Sequence, residues 1–291
     1  MSDFGARRAH NMDAAVYGAR ASYIGGAAGT ATVLAGQMFG IPVSGTMAHS
    51  WVMYYKDEYE AFRHYAENYP DNTVLLVDTY DTIKSGIPNA IRVAREVLEP
   101  MGKRLKGIRI DSGDLAYQSI KVRKMLDDAG LTDCKIIVSN SLDEHTISSL
   151  NMQKARIDGY GVGERLITGA SSDYSEDSIS LLGAVYKIAA VEENGGFAPR
   201  IKVSGSVEKI TNPGLKKVYR VYDQNGKAKA DLIAKADETI DMSQEFRFVD
   251  PDMPWRNLKF THCTVRPLQE KIFENGKLVY KLPTLNEIRA Y

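Results

Sequence analysis

Two charged residues with strong chemical potential lie in the segment GIRIDSGDLAYQS, residues 107–119. Arg109 and Asp111 are two positions apart on a predicted strand, so both side chains point to the same face. They stand at the carboxyl end of that strand, where a cation beside a carboxylate suits a polar, charged ligand. A structural ion pair fits the same two residues, since such pairs are common at buried strand ends.

A second acidic group follows the apolar run 74–77. Asp78 comes directly after this run, and a carboxylate next to a buried strand is costly unless it has a partner. We therefore predict a functional role for Asp78, in holding ribose hydroxyls or a Mg²⁺ ion. Asp81 is better explained as a cap or turn residue before the next helix.

One histidine stands in a polar setting, the segment PVSGTMAHSW at 42–51. His49 follows a short predicted strand, with Ser44, Thr46 and Ser50 close by in sequence. Imidazole can carry a proton or act as a nucleophile. A single histidine more often has a structural role, so the functional interpretation depends on the wider pattern.

Two later segments carry small residues that could bind a phosphate group. Gly159, Gly161 and Gly163 are predicted to follow a strand and to present backbone N–H groups, while Ser139 and Asn140 follow the preceding strand. Glycines also make tight turns, and this spacing matches neither a Walker loop nor the dinucleotide fingerprint. Two successive loops of this kind nevertheless indicate a phosphate site at the strand ends.

These segments require a scaffold of short strands that alternate with helices. We predict strands at 41–43, 74–77, 107–110, 135–138 and 157–161, and helices within 10–38 and at 51–66, 89–99, 115–129 and 142–153. This alternation predicts a parallel α/β sheet, either a barrel or an open doubly wound sheet. We favour an irregular TIM-like barrel, because polar residues follow nearly every strand and all strand ends of a barrel converge on one mouth.

The pattern becomes rich in predicted strands near residue 190. Alternating segments at 182–191, 217–222, 227–233 and 272–280 predict strands, with hairpin turns at 223–226 and 274–276. We therefore predict an α/β barrel catalytic domain over 1–190. A β-rich C-terminal region over 191–291 is expected to pack on that domain or to complete it.

The composition narrows the classes of partner. The 291 residues include 37 Lys plus Arg and 37 Asp plus Glu, and this zero formal charge argues against a nucleic-acid or anionic-membrane partner. The two cysteines are far apart and form no CxxC pair, so we predict no zinc site and no disulfide framework. We find no secretory signal and no apolar run of membrane length, and we expect a cytoplasmic protein.

Several motifs together resemble the nicotinate phosphoribosyltransferases. In chain order they are FGARRAH, GTMAHSWV, LLVDTYDT, RIDSGDL, VSNSLDE, DGYGVGERL, VYKIAA and ITNPGLKKVYR. The resemblance implies the type II phosphoribosyltransferase fold, an irregular α/β barrel. It also implies that nicotinate reacts with phosphoribosyl pyrophosphate (PRPP), with Mg²⁺ and with ATP hydrolysis, in NAD biosynthesis.

The resemblance also implies a role for each motif. His49 matches a histidine that becomes phosphorylated, and Arg109 matches an arginine that lies against the pyridine ring and its carboxylate. The remaining matches are residues that stack on the base, contact PRPP or lie at the ribose and phosphates. The candidate catalytic residues are thus His49, Asp78 and Asp111, and the candidate substrate-binding residues are Phe4, Arg7, Ser44, Thr46, Arg109, Ser139, Asn140, Gly159, Gly161 and Gly163.

The resemblance also implies specificity for nicotinate over nicotinamide, because one acidic residue is absent. Related enzymes that use nicotinamide carry an acidic residue after the first helix, whereas residues 24–36 here contain none. A carboxylate there would repel nicotinate, so its absence favours nicotinate. Quinolinate enzymes, another alternative, lack the ATP-linked histidine.

The resemblance bears on partners as well. Family members begin with an N-terminal domain that completes the active site of the dimer partner, and this chain starts almost at the first functional residues of the barrel. We expect a homodimer or a separate chain that supplies the N-terminal domain. The alternative is a PRPP-binding fragment, or a subunit of a split enzyme, that is inactive alone.

Overall fold

A computed structural model describes residues 1–170, 186–202, 210–241, 244–250, 253 and 255–290 of the protein. The chain divides into two compact units. One comprises Met1–Val191 with Arg200–Pro213, and the other comprises Glu192–Pro199 with Gly214–Tyr291. Within the described ranges, no helix is long and apolar enough to cross a membrane.

The first unit is built on a five-stranded parallel sheet of order β1-β5-β4-β3-β2. The strands are β1 (Ser2–Asp3), β2 (Val74–Leu76), β3 (Gly107–Ile110), β4 (Lys135–Val138) and β5 (Gly159–Val162). Because every pairing is parallel, the carboxyl ends of all five strands lie at one edge. The predicted α/β class is confirmed.

The sheet continues irregularly beyond β1. Isolated parallel bridges join Asp3 to Thr30 and Thr30 to Val43. Among the described residues, no backbone hydrogen bond joins the Val43 segment to β2. A side-chain bond at the carboxyl edge, from Arg109 of β3 to Thr46, connects this segment to the sheet. The segment after Val43 therefore lies near the carboxyl end of β3, and Thr46 contacts it there.

The helices of this unit flank the sheet. They are α1 (Met12–Ile24), α2 (Val33–Phe39), α3 (His49–Tyr54), α4 (Glu58–Asn68), α5 (Ile87–Val93), α6 (Leu115–Asp128), α7 (Glu144–Met152) and α8 (Glu164–Thr168). Asp57, Asp114 and Asp143 begin α4, α6 and α7, and each carboxylate accepts a backbone N–H three residues later. Two π-helical segments, Thr82–Gly86 and Ala94–Leu98, extend α5 at either end.

The core lies between the strands and these helices. Strand residues that are 0–1% exposed include Leu75, Leu76, Ile108, Ile110, Ile136 and Val138. Adjacent positions of β2 are buried alike, which is the pattern of a parallel sheet covered on both faces. Phe62 of α4 is also fully buried in this cluster.

Two predicted elements are wrong. Residues 41–43 do not form a strand, since Pro42 has no N–H to donate and only its carbonyl joins the ladder, accepting from Thr30. The predicted helix 51–66 is two helices, because Tyr55 is extended and the Asp57 side chain caps a new helix. The other helices and strands of this unit occur within a few residues of their predicted positions, although the α5 region begins earlier, at Thr82.

The second unit is rich in strands, as expected. The later strands of the chain are β6 (Ala190–Glu193), β7 (Gly196–Pro199), β8 (Lys216–Tyr222), β9 (Ala228–Lys235), β10 (Phe246–Val249), β11 (Asn257–Phe260), β12 (Thr264–Pro267), β13 (Phe273–Glu274) and β14 (Lys277–Leu278), followed by helix α9 (Leu285–Ala290). The predicted hairpin turns join β8 to β9 and β13 to β14, and both are confirmed. Residues 182–185 of the strand predicted at 182–191 lie outside the described residues; the rest of that prediction is largely wrong, because 186–189 are not in a strand and β6 begins only at Ala190. The assignment of two domains stays a prediction.

Candidate active site

Arg109 is the centre of a hydrogen-bond network at the carboxyl edge of the sheet. Its Nε donates to Ser139 Oγ (2.8 Å), Nη1 to Thr46 Oγ1 (2.9 Å) and Nη2 to Asp111 Oδ1 (2.9 Å). The guanidinium carbon lies 5.1 Å from the centroid of the Phe4 ring. Because three nitrogens have separate acceptors, the guanidinium plane is fixed beside the aromatic ring.

Four distant parts of the chain form this arrangement. Arg109 lies in β3, Ser139 follows β4, Thr46 precedes α3 and Phe4 follows β1. Parallel pairing brings the ends of these segments together. A Cβ on Gly161 would stand 2.6 Å from two atoms of the Phe4 ring, so glycine at this position in β5 makes room for the aromatic side chain.

His49 lies between a hydroxyl and two carboxylates. Its Nδ1 is 3.1 Å from Thr79 Oγ1, and its Nε2 is 3.4 Å from Asp111 Oδ2 and 3.9 Å from Asp78 Oδ1. The imidazole is 17% exposed and is the first residue of α3. These contacts on both ring nitrogens give the imidazole a defined orientation.

Asp78 is the more deeply buried of the two carboxylates. Its side chain is 2% exposed, and Oδ2 accepts a short hydrogen bond from Ser112 Oγ. The other oxygen, Oδ1, is buried without a hydrogen bond from the protein. A buried carboxylate oxygen of this kind is costly, and a ligand that supplied a donor or a cation would offset the cost.

Asp111 is strongly stabilised as a carboxylate. Burial alone would raise its pKa, but His49, the Arg109 guanidinium and the Ser139 hydroxyl outweigh burial and hold the pKa of Asp111 well below its usual range. Asp111 therefore keeps its negative charge at neutral pH. It can stabilise positive charge that develops in a substrate.

The remaining candidates occupy the surroundings of this cluster. Arg7 is exposed, in the 3₁₀ turn Ala6–Arg8 just after Phe4. Ser44 is exposed, and its hydroxyl lies 3.4 Å from that of Ser2. Asn140 is exposed after β4 with a φ of 91°, a conformation that is rare outside glycine and concentrates at ligand-binding loops.

The glycine segment lies differently from its predicted place. Gly159 and Gly161 are within β5, so only Gly163 follows the strand. A Cβ on Gly163 would stand 3.1 Å from the Phe4 carbonyl oxygen. The close approach of the chain around Phe4 thus accounts for two of these glycines, and their predicted contact with a phosphate stays a prediction.

Sequence reasoning missed two residues that contact the candidate catalytic groups. Thr79 is fully buried against His49, and Ser112 bonds to Asp78. Each directly follows a predicted acidic residue in sequence. Their position next to an acidic residue was the one sequence feature that could have indicated them. The side chain to which each hydroxyl bonds, however, depends on contacts between β2, β3 and α3.

Fold and site together define a class of protein, an α/β protein with a charged site at the carboxyl edge of a parallel sheet. A model described as the nicotinate phosphoribosyltransferase (NAPRTase) family matches residues 1–244, and a model of the nicotinate phosphoribosyltransferase C-terminal domain matches residues 215–291. The chain belongs to the nicotinate phosphoribosyltransferase family.

Curated relatives support this membership. The chain is 51% identical over 292 residues to a nicotinate phosphoribosyltransferase of Bacillus subtilis, covering 99% of this chain and 57% of the relative. It is 36% identical to the enzyme of that name from Dictyostelium discoideum, covering 100% of this chain and 56% of the relative. The chain thus spans little more than half the length of these relatives.

Two solved structures share the fold. A nicotinate phosphoribosyltransferase from Vibrio cholerae aligns with a TM-score of 0.57 at 18% identity, covering 72% of this chain and 51% of that one. Another from Porphyromonas gingivalis aligns with a TM-score of 0.55 at 24% identity, covering 72% of this chain and 55% of that one. At these identities the likeness concerns the fold alone.

Proposed function

We propose that this chain carries the catalytic barrel of a nicotinate phosphoribosyltransferase. In the proposed reaction the bond between ribose C1′ and the pyrophosphate oxygen of PRPP breaks, and a bond between C1′ and the pyridine nitrogen of nicotinate forms. Pyrophosphate leaves with the bonding electron pair. The observation that carries the proposal is the fixed Arg109 guanidinium beside Phe4, His49 and two carboxylates.

Arg109 and Phe4 are the proposed base site. A guanidinium recognises a carboxylate through paired hydrogen bonds, and an aromatic ring offers a stacking surface for pyridine. Residues 24–36 contain no acidic residue, and within them Gly29 and Ala31 make backbone bonds to Asp3, the neighbour of Phe4. An anionic base would therefore meet no carboxylate from this segment, which favours nicotinate over nicotinamide.

Asp78 and Asp111 are the proposed ribose and pyrophosphate residues. Departure of pyrophosphate leaves positive charge at C1′, and nearby carboxylates stabilise that charge. The lowered pKa of Asp111 keeps it ionised for this purpose. Ser112 and Ser139 hold the two carboxylates in place through short hydrogen bonds.

The two carboxylates also fit a Mg²⁺ ion that arrives with PRPP. Mg²⁺ prefers oxygen ligands and is often held by one or two carboxylates together with substrate phosphates. Asp78 Oδ1 is a buried oxygen without a protein donor, and Asp111 is its neighbour across His49. The ion would neutralise negative charge on the pyrophosphate as it leaves.

His49 is the proposed link to ATP. An imidazole nitrogen can accept the terminal phosphoryl group of ATP while ADP leaves, and can later lose that group to water as phosphate. The carboxylates at 3.4 and 3.9 Å would hold the ring in place for this step. Ser139, Asn140 and the region of Gly163, with Arg7, are proposed to contact the phosphates of PRPP. The proposed assembly is a homodimer, or a complex with a separate chain that supplies the remaining length of the relatives.

The test measures nicotinate mononucleotide by chromatography, with purified protein, nicotinate, PRPP and Mg²⁺, with and without ATP. Parallel reactions with nicotinamide and quinolinate test the base. We expect product with nicotinate and more product with ATP. Protein that is folded but forms no product would reject the catalytic proposal for this chain alone and favour a PRPP-binding fragment or split subunit.

A matched pair of arginine variants shows whether the product depends on the proposed site. Arg109→Ala should raise the KM for nicotinate by about tenfold or more, because it removes a charge-assisted contact. Arg104→Ala is the control, since Arg104 makes a surface ion pair with Asp133. Equal nicotinate KM values for the two variants would remove Arg109 from the base site.

A further inference from the structure

Asp3 is a buried carboxylate next to the proposed base site that the proposed reaction does not use. Its side chain is fully buried and accepts two hydrogen bonds. Oδ1 accepts from the backbone N–H of Gly5 (2.8 Å), and Oδ2 accepts from Thr30 Oγ1 (2.7 Å). The bond to Gly5 spans Phe4, so Asp3 fixes the turn from which the Phe4 ring projects.

Thr30 connects this turn to a second segment of the site. Its hydroxyl donates to Asp3 and accepts from the backbone N–H of Thr32 (2.9 Å). Its backbone N–H donates to the Pro42 carbonyl (3.0 Å), and its carbonyl accepts from the N–H of Ser44 (3.0 Å). Thr30 is therefore fixed between the end of β1 and the segment that leads to Thr46.

Each of these two segments carries a side chain that contacts Arg109. Phe4 lies against the guanidinium on one side of the Asp3–Thr30 pair, and Thr46, two residues after Ser44, accepts from Nη1 on the other. The pair thus spans two contacts that set the position of the guanidinium relative to the aromatic ring. Loss of the Thr30 hydroxyl would leave a buried carboxylate oxygen of Asp3 without its donor. Because an unpaired buried carboxylate is costly, we expect the segment around Asp3 to shift.

We propose that Asp3 and Thr30 are positioning residues that set the spacing between the Phe4 ring and the Arg109 guanidinium, and hence the affinity for the base. This inference rests on the proposed function, because it assumes that nicotinate is the ligand that binds at the Phe4 ring and the Arg109 guanidinium. Neither residue touches the reacting atoms. Their effect should therefore fall on nicotinate and not on PRPP.

Paired substitutions at Thr30 separate positioning from general stability. Thr30→Val keeps the side-chain shape and removes the hydroxyl, whereas Thr30→Ser keeps the hydroxyl. We expect Thr30→Val to raise the KM for nicotinate by about tenfold and to leave the KM for PRPP within about twofold, since one buried hydrogen bond to a carboxylate is lost. Thr30→Ser should restore the nicotinate KM to within about twofold of the wild-type value.

Asp3→Asn should act in the same direction as Thr30→Val, because an amide cannot accept from both Gly5 and Thr30 in the same arrangement. All variants are assayed well below their melting temperatures. A nicotinate KM that is unchanged in folded Thr30→Val, or that rises in proportion with the KM for PRPP, would overturn the positioning role. A Thr30→Ser variant as impaired as Thr30→Val would overturn it too.

Crystal structures of the two Thr30 variants distinguish this inference from the proposed function. If the wild-type chain forms no product, the proposed function fails, and the structures then decide the positioning role alone. A Phe4 ring displaced from Arg109 in Thr30→Val, but not in Thr30→Ser, supports it. An unchanged ring in both variants overturns it.

Discussion

At the scale of single residues, hydrogen bonds within the site restrict the orientations of its side chains. Arg109 uses Nε, Nη1 and Nη2 for three separate acceptors, and Asp111 is bonded by Arg109 and Ser139 while facing His49. Each group is therefore oriented by its neighbours before any substrate binds. Such preorganisation is effective in catalysis because little reorganisation is needed during the reaction.

His49 gives a prediction at this scale. His49→Ala should abolish the stimulation of product formation by ATP and should change the dissociation constant of PRPP by no more than about threefold, because the proposed role is to carry a phosphoryl group. Product is measured with and without ATP, and PRPP binding by calorimetry. His145→Ala is the control, since that side chain is exposed beside Glu144. Continued stimulation by ATP in His49→Ala would show that the assigned role is wrong.

At the scale of elements, a buried glutamate joins three helical segments behind the site. Glu58 of α4 is 3% exposed, and its Oε2 accepts from Ser85 in the π-helical segment (2.5 Å) and from Asn89 in α5 (3.2 Å). Burial raises the pKa of Glu58, and Asp78 and Asp81 add to the rise by repulsion, although the two hydrogen bonds oppose it. Since Oε2 already accepts two bonds, a bound proton belongs on Oε1.

This raised pKa predicts how stability depends on pH. A carboxyl group with a raised folded-state pKa contributes its full stability below its ordinary pKa and loses it as the pH rises through the folded value. Glu58→Gln mimics the protonated acid and cannot ionise. We therefore expect the unfolding free energy of Glu58→Gln, relative to that of wild type, to increase as the pH rises above about 4, the ordinary pKa of a glutamate, toward neutral pH.

Denaturant unfolding at several pH values provides the measurement. Glu60→Gln is the control, because Glu60 lies on the same turn of α4 and is only partly buried. A difference between Glu58→Gln and wild type that stays constant across this pH range would show that Glu58 does not titrate with folding.

Close packing of a helix against β2 gives another prediction. Gly86 has helical dihedral angles, φ −58° and ψ −54°, so propensity alone would favour alanine by about 1 kcal/mol. A Cβ at Gly86, however, would stand 1.9 Å from the carbonyl oxygen of Val77, the residue before Asp78. Because the contact is with backbone, an added Cβ can be accommodated only if the chain directly after β2 shifts.

Gly86→Ala should therefore destabilise the protein by about 2 kcal/mol or more, as overpacking against a rigid neighbour does. Urea denaturation measures the change. Gly25→Ala is the control, because its added Cβ would meet other atoms only at 3.4 Å and its φ is −73°. A Gly86→Ala variant as stable as the control would mean that helix and strand are not in such close contact.

At the scale of the whole molecule, the two compact units are interleaved along the chain. Residues 200–213 belong to the first unit, although 192–199 belong to the second. Within the first unit the Arg200 N–H donates to the Ala189 carbonyl (2.9 Å), and Lys202 and Thr211 are both buried. A chain cut near residue 190 would lose these interactions.

Truncation tests this organisation. A chain of residues 1–191 should melt at a temperature lower by about 2 °C or more than a chain of residues 1–213, since each 1 kcal/mol lost lowers the melting temperature by roughly 2–4 °C at this size. A chain that ends at residue 284 lacks the exposed helix α9 and is the control, expected to melt like the intact protein. Equal melting temperatures for the two shorter chains would assign residues 200–213 no part in the stability of the first unit.

The local pattern of the sequence determines much of this fold. Strands β3 and β4 occur at their predicted bounds, because their isoleucine and valine residues favour a buried, extended backbone, and α6 begins after its predicted cap, Asp114. The hairpin turns follow from Asn-Gly dipeptides, which favour the backbone angles that tight turns need. All of these features arise between residues close together in the chain.

The contacts that complete the candidate site are decided by tertiary structure. Phe4 lies beside Arg109, Gly161 makes room for the Phe4 ring, and Asp3 bonds to Thr30. These partners are distant in sequence, and spacing along the chain carries no information about which of many polar side chains will meet. The parallel pairing of β1 with β5 brings them together, because it fixes which strand ends are neighbours.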